Sequence, residues 1–104
     1  MNVGNIICLK LMSGEELVGT MVADKTNETF VGIKEVASII MMPGAGNGQQ
    51  YGLGLAPFLG YSDSDTFQVA RTAIVVSHEP NIDMINNYNR LFGAGIQVVG
   101  TLNG

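Results

Sequence analysis

Charge is scarce in this chain. Of 104 residues only 13% are Asp, Glu, Lys or Arg, about half the share of an average soluble domain. A small domain with so few charges has limited means of keeping its surface solvated. Part of that surface is therefore expected to be covered by a partner or by copies of the chain itself. The charge that is there leans acidic: five basic residues against nine acidic ones leave a net charge of -4. This excludes the broad basic footprint that holds nucleic acid by electrostatics alone. A local site stays open, because several subunits can gather a few cations at one mouth.

Other absences narrow the class further. There is one cysteine, Cys8, so no intrachain disulfide can form. Within "NIICLKL" it reads as a small apolar residue of a reducing compartment. No stretch reaches the ~18 apolar residues of a membrane span, and "MNVGN" lacks the basic and apolar regions of a signal peptide. The expectation is a cytoplasmic protein with no membrane partner. No repeat and no composition break divides the chain, so residues 1–104 are read as one domain. At this length a single core is modest, and oligomerisation or a barrel without free edges would help it.

What is present is strand pattern broken by turn residues. "NIICLKLMSG" (5–14) alternates and ends at a Ser-Gly turn signal. "EELVGTMVAD" (15–24) puts Leu17, Gly19, Met21 and Ala23 on one face and Val18, Thr20 and Val22 on the other. "KTNE" (25–28) is a polar turn. "TFVGIKEVASIIMM" (29–42) is rich in β-branched residues, and "PGAGNGQQ" (43–50) reads as a hairpin loop. "YGLGLAPFLGY" (51–61) alternates glycine with large residues, as a bent, closely packed strand does. After "SDSD", "TFQVARTAIVVSHE" (66–79) is strand again, with an interruption near Ala70-Arg71-Thr72.

The period then changes. In "PNIDMINNYNRLFG" (80–93), Ile82, Ile85, Tyr88 and Leu91–Phe92 recur at helical spacing. Pro80 suits the first helical position, Asp83 the positive end, Arg90 the negative end and Gly93 the residue past it. The face carrying Ile82, Ile85, Tyr88 and Leu91 is expected to cover an open end of the barrel. The tail, 93–104, is an extra strand or a frayed end. Strands over about 5–79 and one helix over about 80–92 give an all-β class: a five-stranded, strongly bent antiparallel SH3-like barrel with one C-terminal helix. Glycines inside strands, Gly19 and Gly32 above all and then Gly52 and Gly54, mark the bends.

The stretch "LKLMSGEELVGTMVADKTN" resembles the first motif of the Sm-like (LSm) proteins. There an apolar strand turns at a glycine, the next strand carries a second glycine, and a loop with Asp and then Asn follows. The matching positions are Gly14, Gly19, Asp24 and Asn27. The second motif, an Arg-Gly between the last two strands, is matched by Arg71-Thr72, with the glycine replaced. The layout, with a glycine-rich insertion before the fourth strand and an Asn-capped helix ending in "NNYNRLFG", is similar to small Sm-like proteins of T4-like phages and cyanophages, although Sm proteins usually begin with a helix and this chain puts its helix last. The resemblance implies an Sm-like barrel and homo-oligomeric rings of five to seven copies joined through edge strands. It also implies a single-stranded RNA or DNA partner held near the pore by the loops carrying Asp24, Lys25, Asn27 and Arg71. No constellation in the residues supports an enzyme, a cofactor or a metal site, so none is expected.

The residues themselves leave two readings for each candidate. Asp24 and Asn27 can read a base edge, and they are equally the residues of a turn. Arg71, one of only two arginines, can pair with phosphate or stack on a base; it can also anchor a subunit interface. Lys25 adds a phosphate contact or is a solvated turn lysine. His78, the one histidine, has no nucleophile or orienting acid matched to it and reads as structural or solvent-facing. Asp63 and Asp65 read as a turn, because the glycine and distal glutamate of a calcium loop are missing. Glu15 and Glu16 alternate along a strand and cannot serve as a catalytic pair. Tyr51, Phe58, Tyr61 and Phe67 can stack bases, but at strand spacing they read as core or interface. The glycines of "PGAGNG" and "YGLGLAP" form no phosphate-binding pattern.

Overall fold

The computed structural model describes residues 4–22, 29–43 and 51–92. The expected turn at 25–28, the loop at 44–50, Gly93 and the tail at 94–104 lie outside the described residues. In chain order the elements are β1 (Ile6–Leu11), β2 (Glu16–Met21), β3 (Phe30–Pro43), β4 (Tyr51–Pro57), β5 (Thr66–Ala70), a 3-10 turn (Arg71–Ala73), β6 (Ile74–His78) and α1 (Ile82–Phe92). The interruption expected at Ala70-Arg71-Thr72 is this 3-10 turn. It divides the fifth strand region into β5 and β6.

All pairings are antiparallel, in the order β4-β3-β2-β1-β6, and β5 also pairs β3. The long strand β3 makes this possible. Its first half, Phe30–Lys34, pairs β5, and its second half, Ala37–Pro43, pairs β4. The 3-10 turn then carries the chain from β5 on one side of the barrel to β6 beside β1. The circuit β1, β2, β3, β5, β6 and back to β1 is thus closed by one covalent corner.

Two glycines of the opening motif have the expected roles. Gly14 has φ +94° and donates its N–H to the Leu11 carbonyl at 2.8 Å; an L side chain resists that left-handed conformation. At Gly19 a Cβ would lie 2.5 Å from Ile33 Cγ1 and 3.1 Å from the Lys34 carbonyl oxygen. The β2–β3 register shifts at this point, from Val18↔Ala37 to Thr20↔Lys34. Strand β3 therefore holds one extra residue, a bulge, with Glu35 at φ +51°. The bulge changes the parity of β3: Val31 and Ile33 point into the barrel before it, Val36 after it.

Two apolar clusters result. Inside the barrel, Ile7, Leu9, Leu17, Met21, Val31, Ile33 and Val36 are buried. Phe58 and Phe67 meet edge to face at 5.7 Å against this cluster, so both are core residues. On the outer face of the sheet, Cys8, Val18 and Ala37 are buried under Met84 and Tyr88 of α1, with Phe92 packed beside them. This corrects the expected helix placement. The anchoring face is Met84, Tyr88 and Phe92 at i, i+4 spacing, and it lies on the outer sheet face, not over an open end of the barrel. Cys8, Val18 and Ala37 are short or compact, so they leave a depression that long side chains fill. Ile82 and Leu91 flank that contact and remain 65% and 40% exposed.

The helix start has an asparagine cap, and only the place of Pro80 differs from expectation. Asn81 is the N-cap, its Oδ1 accepting the Met84 N–H at 2.9 Å. Pro80 therefore stands one position before the cap. The Tyr88 hydroxyl locks the helix to the bulge: it donates to the Glu35 carbonyl at 2.8 Å and lies 2.8 Å from the Thr20 hydroxyl.

Candidate nucleic-acid interface

The 3-10 turn is held at both ends by backbone hydrogen bonds. The Arg71 N–H donates to the Thr29 carbonyl at 2.8 Å, and the Met12 N–H donates to the Ala73 carbonyl at 2.8 Å. The first bond ties the turn to the chain entering β3. The second ties it to the β1–β2 turn. The cause is the register of β5, in which Ala70 lies opposite Phe30, so that Arg71 is the next residue out and meets Thr29. Arg71 itself is exposed.

Three of the four expected site residues, Asp24, Lys25 and Asn27, lie outside the described residues. Arg71, the fourth, is placed beside Thr29, the first described residue after them. The sequence spacing therefore located the arginine correctly on a turn between the last two strands. It could not show the bond to Thr29, because nothing in "TNETF" marks which carbonyl the turn would use.

The remaining candidates take the structural reading. Asp65 accepts from the Thr66 hydroxyl at 3.2 Å, and Ser62 Oγ accepts the Ser64 N–H at 3.0 Å, which is a turn network. His78 ends β6 exposed, with Nδ1 3.3 Å from the Glu79 carbonyl oxygen. Tyr61 is 87% exposed in the turn after β4. Among the described residues no group of three or more His, Cys, Asp and Glu side chains is arranged to hold a metal ion, and no helix is long and apolar enough to cross a membrane.

A cleft that periodicity did not reveal lies on the outer sheet face, beside the first half of α1. It has a volume of about 360 Å³. Its floor is Cys8, Ile39, Leu53 and Met84, and its rim carries Glu16, His78, Asn81, Asp83 and Asn87. The residues come from β1, β2, β3, β4, β6 and α1, so only the sheet order brings them together. Burial, and then the Glu16 carboxylate, push the Cys8 thiol up. It is a neutral, apolar part of the floor.

The two outer sheet edges are open. Among the described residues β4 pairs only β3, and β6 pairs only β1. Exposed apolar side chains cluster along them: Ile40, Met41, Met42 and Leu53 on the β3–β4 ribbon, Val75 and Val76 on β6.

No curated protein matches the chain. A family model, the Sm-like domain, matches residues 8–89. That span runs from β1 through the greater part of α1 and contains the closed barrel, the Gly14 turn, the Gly19 crossing and the Arg71 turn. The chain belongs to the Sm-like family.

Proposed function

We propose that the protein is a homo-oligomeric, ring-forming Sm-like barrel that binds single-stranded RNA through the loop before Thr29 and the turn at Arg71. The observation that carries this reading is the Arg71 N–H to Thr29 carbonyl bond. Asn27 is two residues from Thr29 and so within about 7 Å of chain, and Asp24 and Lys25 precede it. One backbone bond thus ties the Arg71 turn to Thr29, two residues after Asn27 in sequence. Asp24 and Asn27 would read a base edge, Arg71 would hold phosphate or stack, and Lys25 would add a second phosphate contact. No step in this role needs a catalytic group, a metal or a cofactor.

Ring assembly would use the two open edges, β4 of one protomer pairing with β6 of the next. Unpaired strands with apolar side chains are the usual material of such contacts. Five to seven copies, the range of the family, would bring as many Arg71 side chains to one opening, a local cluster of cations on a chain whose net charge is -4. The place of action is the cytoplasm, that of the host if a phage encodes the chain.

One observation favours a second reading. The acidic balance and the apolar edges also fit an assembly module, structural in a phage, that forms the same ring without RNA. Native mass spectrometry with fluorescent oligo-U and oligo-A separates the two. A ring that binds either oligonucleotide supports the proposal. A ring that binds neither at low salt leaves the assembly module, and a monomer removes both readings.

A further inference from the structure

We propose that the cleft between α1 and the outer sheet face docks an extended segment of a partner protein in which Arg or Lys alternates with apolar residues. The first support is shape. The cleft, at about 360 Å³, falls within the ~300–1,000 Å³ range of ligand sites, and it is open rather than enclosed. Its apolar floor continues past Leu53 to Met41, the cross-strand neighbour of Leu53 on β3. These two side chains are 56% and 67% exposed. An extended segment can therefore lie across the strands with alternate side chains directed down.

The second support is charge. Glu16 of β2 and Asp83 of the first turn of α1 both line the cleft. Both are exposed, and among the described residues neither carboxylate has a hydrogen-bond partner. Lys10 stands opposite Glu16 in the β1–β2 register and likewise has none among the described residues. Arg90, further along α1, donates to Asn87 Oδ1. The rim thus offers two carboxylate acceptors over an apolar floor, which suits a guanidinium or ammonium carried on an aliphatic stem. The same two carboxylates repel a phosphate backbone. This site is separate from the Arg71 turn, although Met41 and Leu53 of its floor also border the open β4 edge proposed for the ring contact.

The test uses the assembled full-length protein and a fluorescein-labelled nine-residue peptide alternating leucine with arginine. Its counterpart alternating leucine with glutamate is the control. Binding is read by anisotropy and by the methionine methyl resonances. The basic peptide is expected to bind saturably and to move the Met84 methyl, leaving that of Met21 in the barrel core unchanged. Glu16→Gln combined with Asp83→Asn is expected to weaken binding at least about tenfold, and Asp63→Asn, in the turn before β5, to leave it unchanged. Leu53→Ser provides a second variant at an exposed position. The proposal is overturned if the basic peptide does not bind, or if it binds the Glu16/Asp83 variant as tightly as the parent. It is equally overturned if the Met84 methyl stays still, or if oligo-U displaces the peptide and shifts that methyl itself, which would make the cleft a nucleic-acid site.

Discussion

The amide of Arg71 donates to the carbonyl of Thr29 at 2.8 Å, and this bond fixes the turn between β5 and β6 to the start of β3. Because it is a backbone bond, the Arg71 side chain can be changed without cutting it. Arg71→Ala is expected to keep the fold, with an unfolding free energy lower by no more than about 1–2 kcal/mol for the side-chain interactions it removes. Urea denaturation followed by circular dichroism checks this. A loss of several kcal/mol would show that the side chain holds the fold together.

Tyr88 closes the bulge in β3 through its hydroxyl. Tyr88→Phe keeps the ring in its cluster and removes the donor to the Glu35 carbonyl and the partner of Thr20. The expected cost is about 1–2 kcal/mol, measured by urea unfolding. Native-like stability would mean that water replaces the hydroxyl without loss.

Burial is the main cause that pushes the Tyr88 phenol up to about 12, against about 10 for a free tyrosine. The neutral form is thus favoured in the fold. Its contribution is complete below pH 10, because both states are then protonated, and it is lost as pH rises from 10 through 12, where the unfolded chain ionises first. Stability is expected to fall in that window and to fall less in Tyr88→Phe. Unfolding midpoints from pH 8 to 11.5 read the difference; parallel curves for the two proteins would contradict it.

Gly19→Ala is expected to destabilise by about 1–3 kcal/mol, the scale of overpacking, since its Cβ meets both Ile33 Cγ1 and the Lys34 carbonyl. Ile33→Val removes Cδ1, which lies 2.7 Å from that Cβ, and leaves Cγ1 and the Lys34 carbonyl in place. The double variant is therefore expected to recover only part of the loss.

Much of the fold was legible because it is written in turn residues. Gly14 and Gly19 fall where a positive φ and a close strand crossing need them, and the change at Ala70-Arg71-Thr72 marks the corner. The bulge was not legible. "GIKEVA" carries no glycine or asparagine where the chain turns left-handed; Glu35 takes that conformation with its carbonyl held by Tyr88, 53 residues away in sequence. The helix face was legible only in part: Tyr88 and Phe92 pack on the sheet as their spacing suggests, but Met84 joins them in place of Ile82 and Leu91. Ile82 and Leu91 are as apolar as Met84 and Phe92, and only the short side chains of Cys8 and Ala37 beneath decide which are buried. For the site, spacing located Arg71 but not Thr29, and the cleft depends on a sheet order that no local pattern contains.

Val75 is 59% exposed on the open edge of β6, so Val75→Lys leaves the protomer fold intact and places a charge where a neighbour's β4 would pair. Native mass spectrometry is expected to show protomers with an unchanged circular dichroism spectrum. Assembly equal to that of the parent would mean that this edge is not the ring contact.

The salt dependence of oligo-U binding, compared between the parent ring and its Arg71→Ala variant, tests the central claim most directly. Binding that weakens with salt, weakens further on substitution by about 1–3 kcal/mol, and loses roughly one unit of salt slope per arginine contact is the predicted result. Oligo-U binding that is absent at low salt, or that keeps the same affinity and slope without the Arg71 side chain, would contradict it.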